Sequence, residues 1–151
     1  MNQWRSVDEI LDFAIEKEEE AAEFYRDLAA RMARAHMRDV FMQFAAEEMG
    51  HKAKLQQIKR GKIAMRPRQE VPDLKIGDYL VAVEPDETLD YQGALLLAMK
   101  KEKAAFKLYT DLAASTTDEQ VSELFLGLAQ EEAKHKLRFE LEYDDYVLTQ
   151  N

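Results

Sequence analysis

Tyr25-Arg26-Asp27-Leu28-Ala29-Ala30 returns as Tyr109-Thr110-Asp111-Leu112-Ala113-Ala114, an offset of 84 residues. The same shift, without a gap, pairs Ala14 with Ala98, Lys17 with Lys101, Glu18 with Glu102 and Ala21 with Ala105. Further along it pairs Phe41 with Phe125, Ala45 with Ala129, Glu47 with Glu131, Glu48 with Glu132, His51 with His135 and Lys52 with Lys136. Identities held in one register over such a span mark an internal duplication. Two copies are too few for a solenoid, so a closed bundle is the expected architecture.

Local punctuation sets the helix limits. Ser6 precedes Val7-Asp8-Glu9 in a capping-box pattern, which predicts a first helix from about Val7 to Met32. A second helix should run from about His36 to Arg60 and stop at Gly61. A third should start near Thr88 or Leu89, after Pro85, and end near Ala114. Thr117 or Asp118 should open a fourth, which runs to about Tyr146. The links Ala33-Arg34-Ala35 and Ser115-Thr116-Thr117 are short, so each helix pair should be an antiparallel hairpin. Between the pairs, Lys62 to Glu87 holds Pro67, Pro72, Pro85 and Gly77 and reads as a long crossover, with a short strand or helical turn at Tyr79-Leu80-Val81. The prediction is one all-α domain over residues 1–151: repeat one at 7–60, a crossover at 61–87, repeat two at 88–146. A four-helix bundle with one long crossover between helices two and three has ferritin-like connectivity.

Composition agrees and narrows the chemistry. The 151 residues carry 21 basic and 30 acidic side chains, a net charge of −9, with 34% charged, 46% hydrophobic and only 5 Gly and 3 Pro. That mixture suits long amphipathic helices and excludes collagen, disorder and a turn-rich β-sandwich. There is no Cys, which excludes disulfides, thiolate zinc sites, iron–sulfur clusters and a cysteine nucleophile. The acidic balance argues against nucleic acid as a partner and is compatible with attracting cations. The longest apolar patch, Ala94 to Met99, falls far short of the roughly 18 residues of a membrane span. Met1-Asn2-Gln3-Trp4-Arg5 leads into acidic residues and not into a signal-peptide core, so the cytoplasm is the expected compartment.

Apolar residues at three- and four-residue spacing trace one stripe on each helix. The stripes are Leu11, Ala14, Glu18, Ala21, Tyr25, Leu28, Met32; then Met37, Phe41, Phe44, Glu48, His51, Leu55, Ile58; then Leu95, Ala98, Glu102, Ala105, Tyr109, Leu112; then Val121, Phe125, Leu128, Glu132, His135, Phe139. Near its middle each stripe carries Glu, or Glu and His. A lone carboxylate in an apolar core costs several kcal/mol, so these acids need a shared solution. Two divalent cations offset four carboxylates, and two neutral imidazoles complete the set. Residues i and i+3 lie ~60° apart around a helix and ~4.5 Å apart along it, so Glu-x-x-His can aim an oxygen and a nitrogen at one point. Oxygen and imidazole donors without thiolate suit iron or manganese and do not exclude zinc. The expected ligands are Glu18, Glu48, His51, Glu102, Glu132 and His135.

These residues resemble the rubrerythrin-type branch of the ferritin-like superfamily: Glu18 through Tyr25 and Glu47-Glu48-Met49-Gly50-His51, then Glu102 through Tyr109 and Glu131-Glu132-Ala133-Lys134-His135. Carboxylate-bridged bundles of that kind combine a Glu from each of two helices with Glu-x-x-His from each of the other two. The resemblance implies that Glu48 and Glu132 bridge two metals, that Glu18 and Glu102 bind terminally, and that His51 and His135 each cap one metal. Rubrerythrins proper also carry a rubredoxin-like domain held by four cysteines, and this chain has none. They place a further carboxylate one turn after the helix-three ligand, where Ala105 stands here, with Ala21 in the other repeat.

Other candidates read differently. Tyr25 and Tyr109 lie two turns beyond Glu18 and Glu102, either as core tyrosines or as phenols that orient a metal-bound carboxylate. Glu47 and Glu131 sit ~100° round the helix from the bridging acids and are not expected to be ligands. His36 is expected at the surface, and the run Glu16 to Glu20 on a solvated face apart from Glu18. Met32, Met37, Met42, Met49 and Met99 read as core filler, and Trp4 as an anchor at a bundle end or a dimer contact.

The functional expectation is a non-haem di-iron oxidoreductase that reduces peroxide or dioxygen, an oxidative-stress type of chemistry. Its cofactors would be two iron ions, with manganese or zinc as alternatives. Its electrons would come from an external donor such as a rubredoxin or a reductase. The alternatives are a ferroxidase or iron-handling protein, and a non-enzymatic bundle held together by metal. By resemblance the chain should form a homodimer; the acidic charge and the short apolar runs predict no nucleic-acid or membrane partner.

Overall fold

A computed structural model describes residues 7–61 and 91–150. They form four helices: α1 (Val7–Arg31), α2 (Ala35–Lys59), α3 (Tyr91–Ala114) and α4 (Glu119–Gln150). No strand occurs among the described residues, so the fold class is all-α. They fall into two compact units, α1 with α2 and α3 with α4. The Ser6 cap, Trp4, the start of helix three at Thr88 or Leu89, and the element at Tyr79-Leu80-Val81 lie outside the described residues.

Each unit is an antiparallel hairpin, and the contacts show it. In the first, Asp12 pairs with Lys59, Glu19 with Lys52 at 3.0 Å, and Tyr25 stacks on Phe41. Positions ascend on α1 as they descend on α2. In the second, Gln92 Nε2 donates to Tyr143 Oη at 3.3 Å, and Tyr109 stacks on Phe125. The duplication survives in three dimensions. Tyr25 and Phe41 have ring centroids 6.4 Å apart at 11°, and Tyr109 and Phe125 repeat this at 6.4 Å and 15°.

Every stripe residue expected on α2 and α4 is buried. On α1 and α3 the stripe is buried except that Ala21, Met32 and Ala105 are only half-buried, whereas Ile10 and Ala22 are also buried. Full burial of a Leu, Ile or Phe is worth about 1.5–3 kcal/mol, so Leu11, Leu28, Phe41 and Leu55 are major contributors to the first hairpin, and Leu95, Leu112, Phe125 and Phe139 to the second. Met37 is core and Met42 is not: it stands 50% exposed, because it falls one residue off the stripe of Phe41.

The turns satisfy helix ends in different ways. At the end of α1, the Arg38 guanidinium donates to the carbonyls of Met32 and Ala33 at 2.9 and 3.1 Å. At the end of α3, Ser115 Oγ donates to Leu112 O at 2.8 Å and Ser122 Oγ to Ala113 O at 2.9 Å. The Ser115 amide also donates to Leu112 O at 3.1 Å, and the side-chain donors serve carbonyls near helix ends, where intrahelical partners run out. Asp118 caps α4, its Oδ1 accepting from the amides of Gln120 and Val121 at 3.0 and 3.2 Å. Gly61 ends α2 with φ of 78°, the left-handed conformation that favours glycine. Helix α4 runs four residues beyond the expected Tyr146, since nothing between Tyr146 and Gln150 breaks a helix.

Candidate metal centre

In the first hairpin α1 supplies Glu18, and α2 supplies Glu48 and His51 one turn apart. Glu18 is 2% exposed, Glu48 0% and His51 4%. His51 Nδ1 lies 3.3 Å from Glu18 Oε2 and 3.2 Å from Glu48 Oε1. One ligand atom from each of the three lies within 4.8 Å of the others. In the second hairpin α3 supplies Glu102, and α4 supplies Glu132 and His135, all buried. His135 Nδ1 lies 3.3 Å from Glu102 Oε2 and 3.6 Å from Glu132 Oε1. Two buried Glu/Glu/His triads thus repeat at the sequence offset. Leu11, Ala14 and Leu28 on α1 and Leu95, Ala98 and Leu112 on α3 are buried on the same stripes as the acids, which is why the sequence buries the acids with them.

The spacing tests the fit to a cation. Donors about 2.0–2.2 Å from one ion, at right or tetrahedral angles, stand about 2.8–3.6 Å apart. The separations of 3.2 and 3.3 Å fall in that range, and 3.6 Å lies at its upper end. Charge points the same way. Each hairpin buries two carboxylates and one imidazole, and no Lys or Arg is buried among the described residues. A neutral imidazole leaves two negative charges per triad, which one divalent cation balances. Were Nδ1 to ligate a cation beside the carboxylates, the imidazole proton would sit on Nε2. The donor set of carboxylate oxygen and imidazole nitrogen suits iron or manganese.

The remaining candidates separate cleanly. Glu47 is half-buried and its Oε2 accepts from Gln43 Nε2 at 3.0 Å, while Glu131 Oε1 lies 3.5 Å from Lys134 Nζ. His36, Glu16, Glu19 and Glu20 are exposed. Tyr25 and Tyr109 are buried and stacked on Phe41 and Phe125. Around Tyr25 the packing extends further, with Phe24 at 5.6 Å and Phe44 at 6.1 Å between centroids. Sequence reasoning did not single out the buried hydroxyls of Ser115 and Thr116; the run Ser115-Thr116-Thr117 ahead of Asp118 was the available signal.

Helices alone, bearing buried Glu and His clusters that could bind metal, define a carboxylate-type metal-binding protein of the all-α class. The chain belongs to the ferritin-like domain family, whose profile matches residues 6–140. It is similar to a hypothetical protein from Pyrococcus furiosus, with 28% identity, a TM-score of 0.72, and 92% of this chain and 89% of that chain covered. It shares its fold with a candidate ferritin-like diiron-carboxylate protein from Thermotoga maritima, with 20% identity, a TM-score of 0.76, and coverage of 97% and 99%. No curated protein matches the sequence. No helix among the described residues is long and apolar enough to cross a membrane.

Proposed function

We propose that the chain is a rubrerythrin-like non-haem di-iron oxidoreductase that reduces peroxide or dioxygen. The observation that carries this reading is the duplicated triad: Glu18, Glu48 and His51 at 3.2–3.3 Å, then Glu102, Glu132 and His135 at 3.3–3.6 Å, all buried. One divalent iron per triad would balance the charge, and on this reading Glu18, Glu48 and His51 would hold one iron and Glu102, Glu132 and His135 another. Ferrous iron held there would supply the two electrons that, with two protons, convert one hydrogen peroxide into two waters. The side chains have other tasks. The carboxylates tolerate burial only with a cation beside them, so they hold it tightly. The apolar stripes keep bulk water off the acids and strengthen every charge interaction there. Tyr25 and Tyr109 fix the α1–α2 and α3–α4 packing about two turns from the acids.

With no cysteine in the chain, the electrons return from an external carrier, a rubredoxin or a reductase. The reading extends to a cytoplasmic homodimer without nucleic-acid or membrane partners; the net charge of −9 supports the first exclusion.

The test is anaerobic loading with ferrous iron, elemental analysis, then addition of peroxide. Two irons per chain, retained while one peroxide disappears for each two ferrous ions oxidised, is the expected result. Uptake of many irons per chain with release of ferric iron would favour the iron-handling alternative. Tight metal binding without peroxide consumption would leave only a structural role.

A further inference from the structure

Helix α4 carries a second apolar stripe, on the side turned away from its core. The core side holds Phe125, Leu128, Glu132, His135 and Phe139, all buried. Opposite them, Leu126 is 45% exposed, Leu137 55%, Leu141 58% and Leu148 76%. At about 100° per residue these leucines fall within about 40° of Leu137, on the far side of the helix from the core residues. Gln130, Ala133 and Asp144 share the same sector. From Leu126 to Leu148 the stripe advances 22 residues, about 33 Å or three heptads. A helix that is apolar on two opposite sides needs cover on both.

The duplication supplies an internal control. Leu126 has an exposed apolar counterpart in Met42, but Leu137 and Leu141 stand where α2 has Ala53 and Gln57. Helix α2 ends at Lys59, the counterpart of Tyr143, so the turns that bear Asp144 and Leu148 have no helical equivalent in the first hairpin. Only α4 combines the leucines with the extra length that keeps them in line.

The order of residues along the stripe selects its occupant. Leu126, Gln130, Ala133, Leu137, Leu141, Asp144 and Leu148 are separated by steps of four, three, four, four, three and four. These steps read the same from either end, with Leu137 at the centre. We propose that a second copy of the chain covers the stripe, in an antiparallel α4–α4 contact whose two-fold axis passes at Leu137. Such a contact uses one patch twice and so requires it to be self-complementary, which an unrelated partner does not. The residue types match as well as the spacing. Leu137 meets the partner's Leu137, Leu126 meets the partner's Leu148, and Ala133 meets the partner's Leu141, small against large. Gln130 Nε2 donates to the carboxylate of the partner's Asp144. A parallel pair would instead set Asp144 on the partner's Asp144, two like charges in an apolar seam. At the rim, Lys136 Nζ lies 3.0 Å from Glu140 Oε2 on its own helix. Reversal of the second helix brings the partner's Glu140 beside Lys136, so charges of both signs edge the contact. The inference gives the homodimer of the reading above a surface and a symmetry; it rests on that part of the reading and not on the metal chemistry.

The test uses the full chain, which has no cysteine of its own. Sedimentation at micromolar concentration should show a dimer. Leu137→Asp should weaken association tenfold or more with helix content unchanged, because Leu137 is exposed within the chain. Ala53→Asp, the matched change on α2, should leave the dimer intact. Register is read by cross-linking with oxidised glutathione. Leu137→Cys should form a disulfide-linked dimer, whereas Leu126→Cys and Leu148→Cys should cross-link when mixed and not when alone. The inference is overturned by a monomer, whatever else then binds the stripe, and by a dimer that Leu137→Asp leaves intact. It is overturned equally if Leu126→Cys cross-links alone, which marks a parallel pair, or if Leu137→Asp lowers the melting temperature of a monomer, which marks a stripe covered within the chain. A dimer indifferent to Leu137→Asp sinks this surface and spares the homodimer, and a monomer sinks both. Iron content and peroxide consumption, measured on the same samples, judge the metal chemistry separately.

Discussion

His51 Nδ1 stands 3.3 Å from Glu18 Oε2, bringing α1 and α2 together at a buried polar point, and His135 repeats the distance to Glu102. A contact held this closely in both halves is a property of the site and not of one helix crossing. Each half buries two carboxylates there with no buried Lys or Arg among the described residues, so a cation should stabilise the protein, and the first expectations follow from that.

Chelation should lower the melting temperature. A ligand at 100 times its dissociation constant stabilises by about 2.7 kcal/mol, which in a chain of this size is roughly 5–10 °C. Calorimetry with and without ferrous or manganous ion, under anaerobic conditions, checks this.

Glu48→Gln should act in opposite directions in the two states. Without metal it removes a buried negative charge and should leave stability unchanged or raise it by about 1–2 kcal/mol. With metal it removes a ligand, so the bound form should lose stability and the metal count should fall. Glu132→Gln should behave alike. Melting curves and elemental analysis on the same samples separate the two effects.

Phe41→Ala and Phe125→Ala should be about equally damaging. Each ring is fully buried and stacked on its tyrosine at 6.4 Å. A cost of about 3–5 kcal/mol is expected for each, from urea titration of the metal-loaded protein. A large inequality would show that the two hairpins do not share the load as their geometry implies.

Lys59 should titrate above its ordinary 10.5, because its ammonium donates to the Asp12 carboxylate. The folded chain holds this proton more firmly than the unfolded chain. The pair's stabilisation is therefore complete below about 10.5 and fades as pH rises through the raised value. NMR of the Lys59 side chain should show the titration returning toward 10.5 in Asp12→Asn.

Much of this is legible in the residues. The stripes carrying Glu48, His51, Glu132 and His135 name the buried faces of α2 and α4, because helical periodicity and burial coincide on a long amphipathic helix. The offset of the repeat locates both triads by itself. Less legible are the flanks. Ala21 and Ala105 fit the stripe and are only half-buried, while Ala22 is buried. Small residues carry little periodic signal, so packing decides among them. Met42 is apolar and exposed, and composition cannot say so. The ends of helices depend on chain stops: Gly61 supplies one, and the absence of any breaker after Tyr146 lets α4 run on.

The hydroxyls of Ser115 and Ser122 close the α3–α4 turn from within, where the α1–α2 turn is closed by the exposed Arg38 reaching back. One corner is thus fastened by short, uncharged groups and the other by a long cation in water. Salt and guanidinium should loosen the arginine-tied corner first, so the descendants of a single ancestral hairpin, alike at their hearts, have come to differ in how they fray.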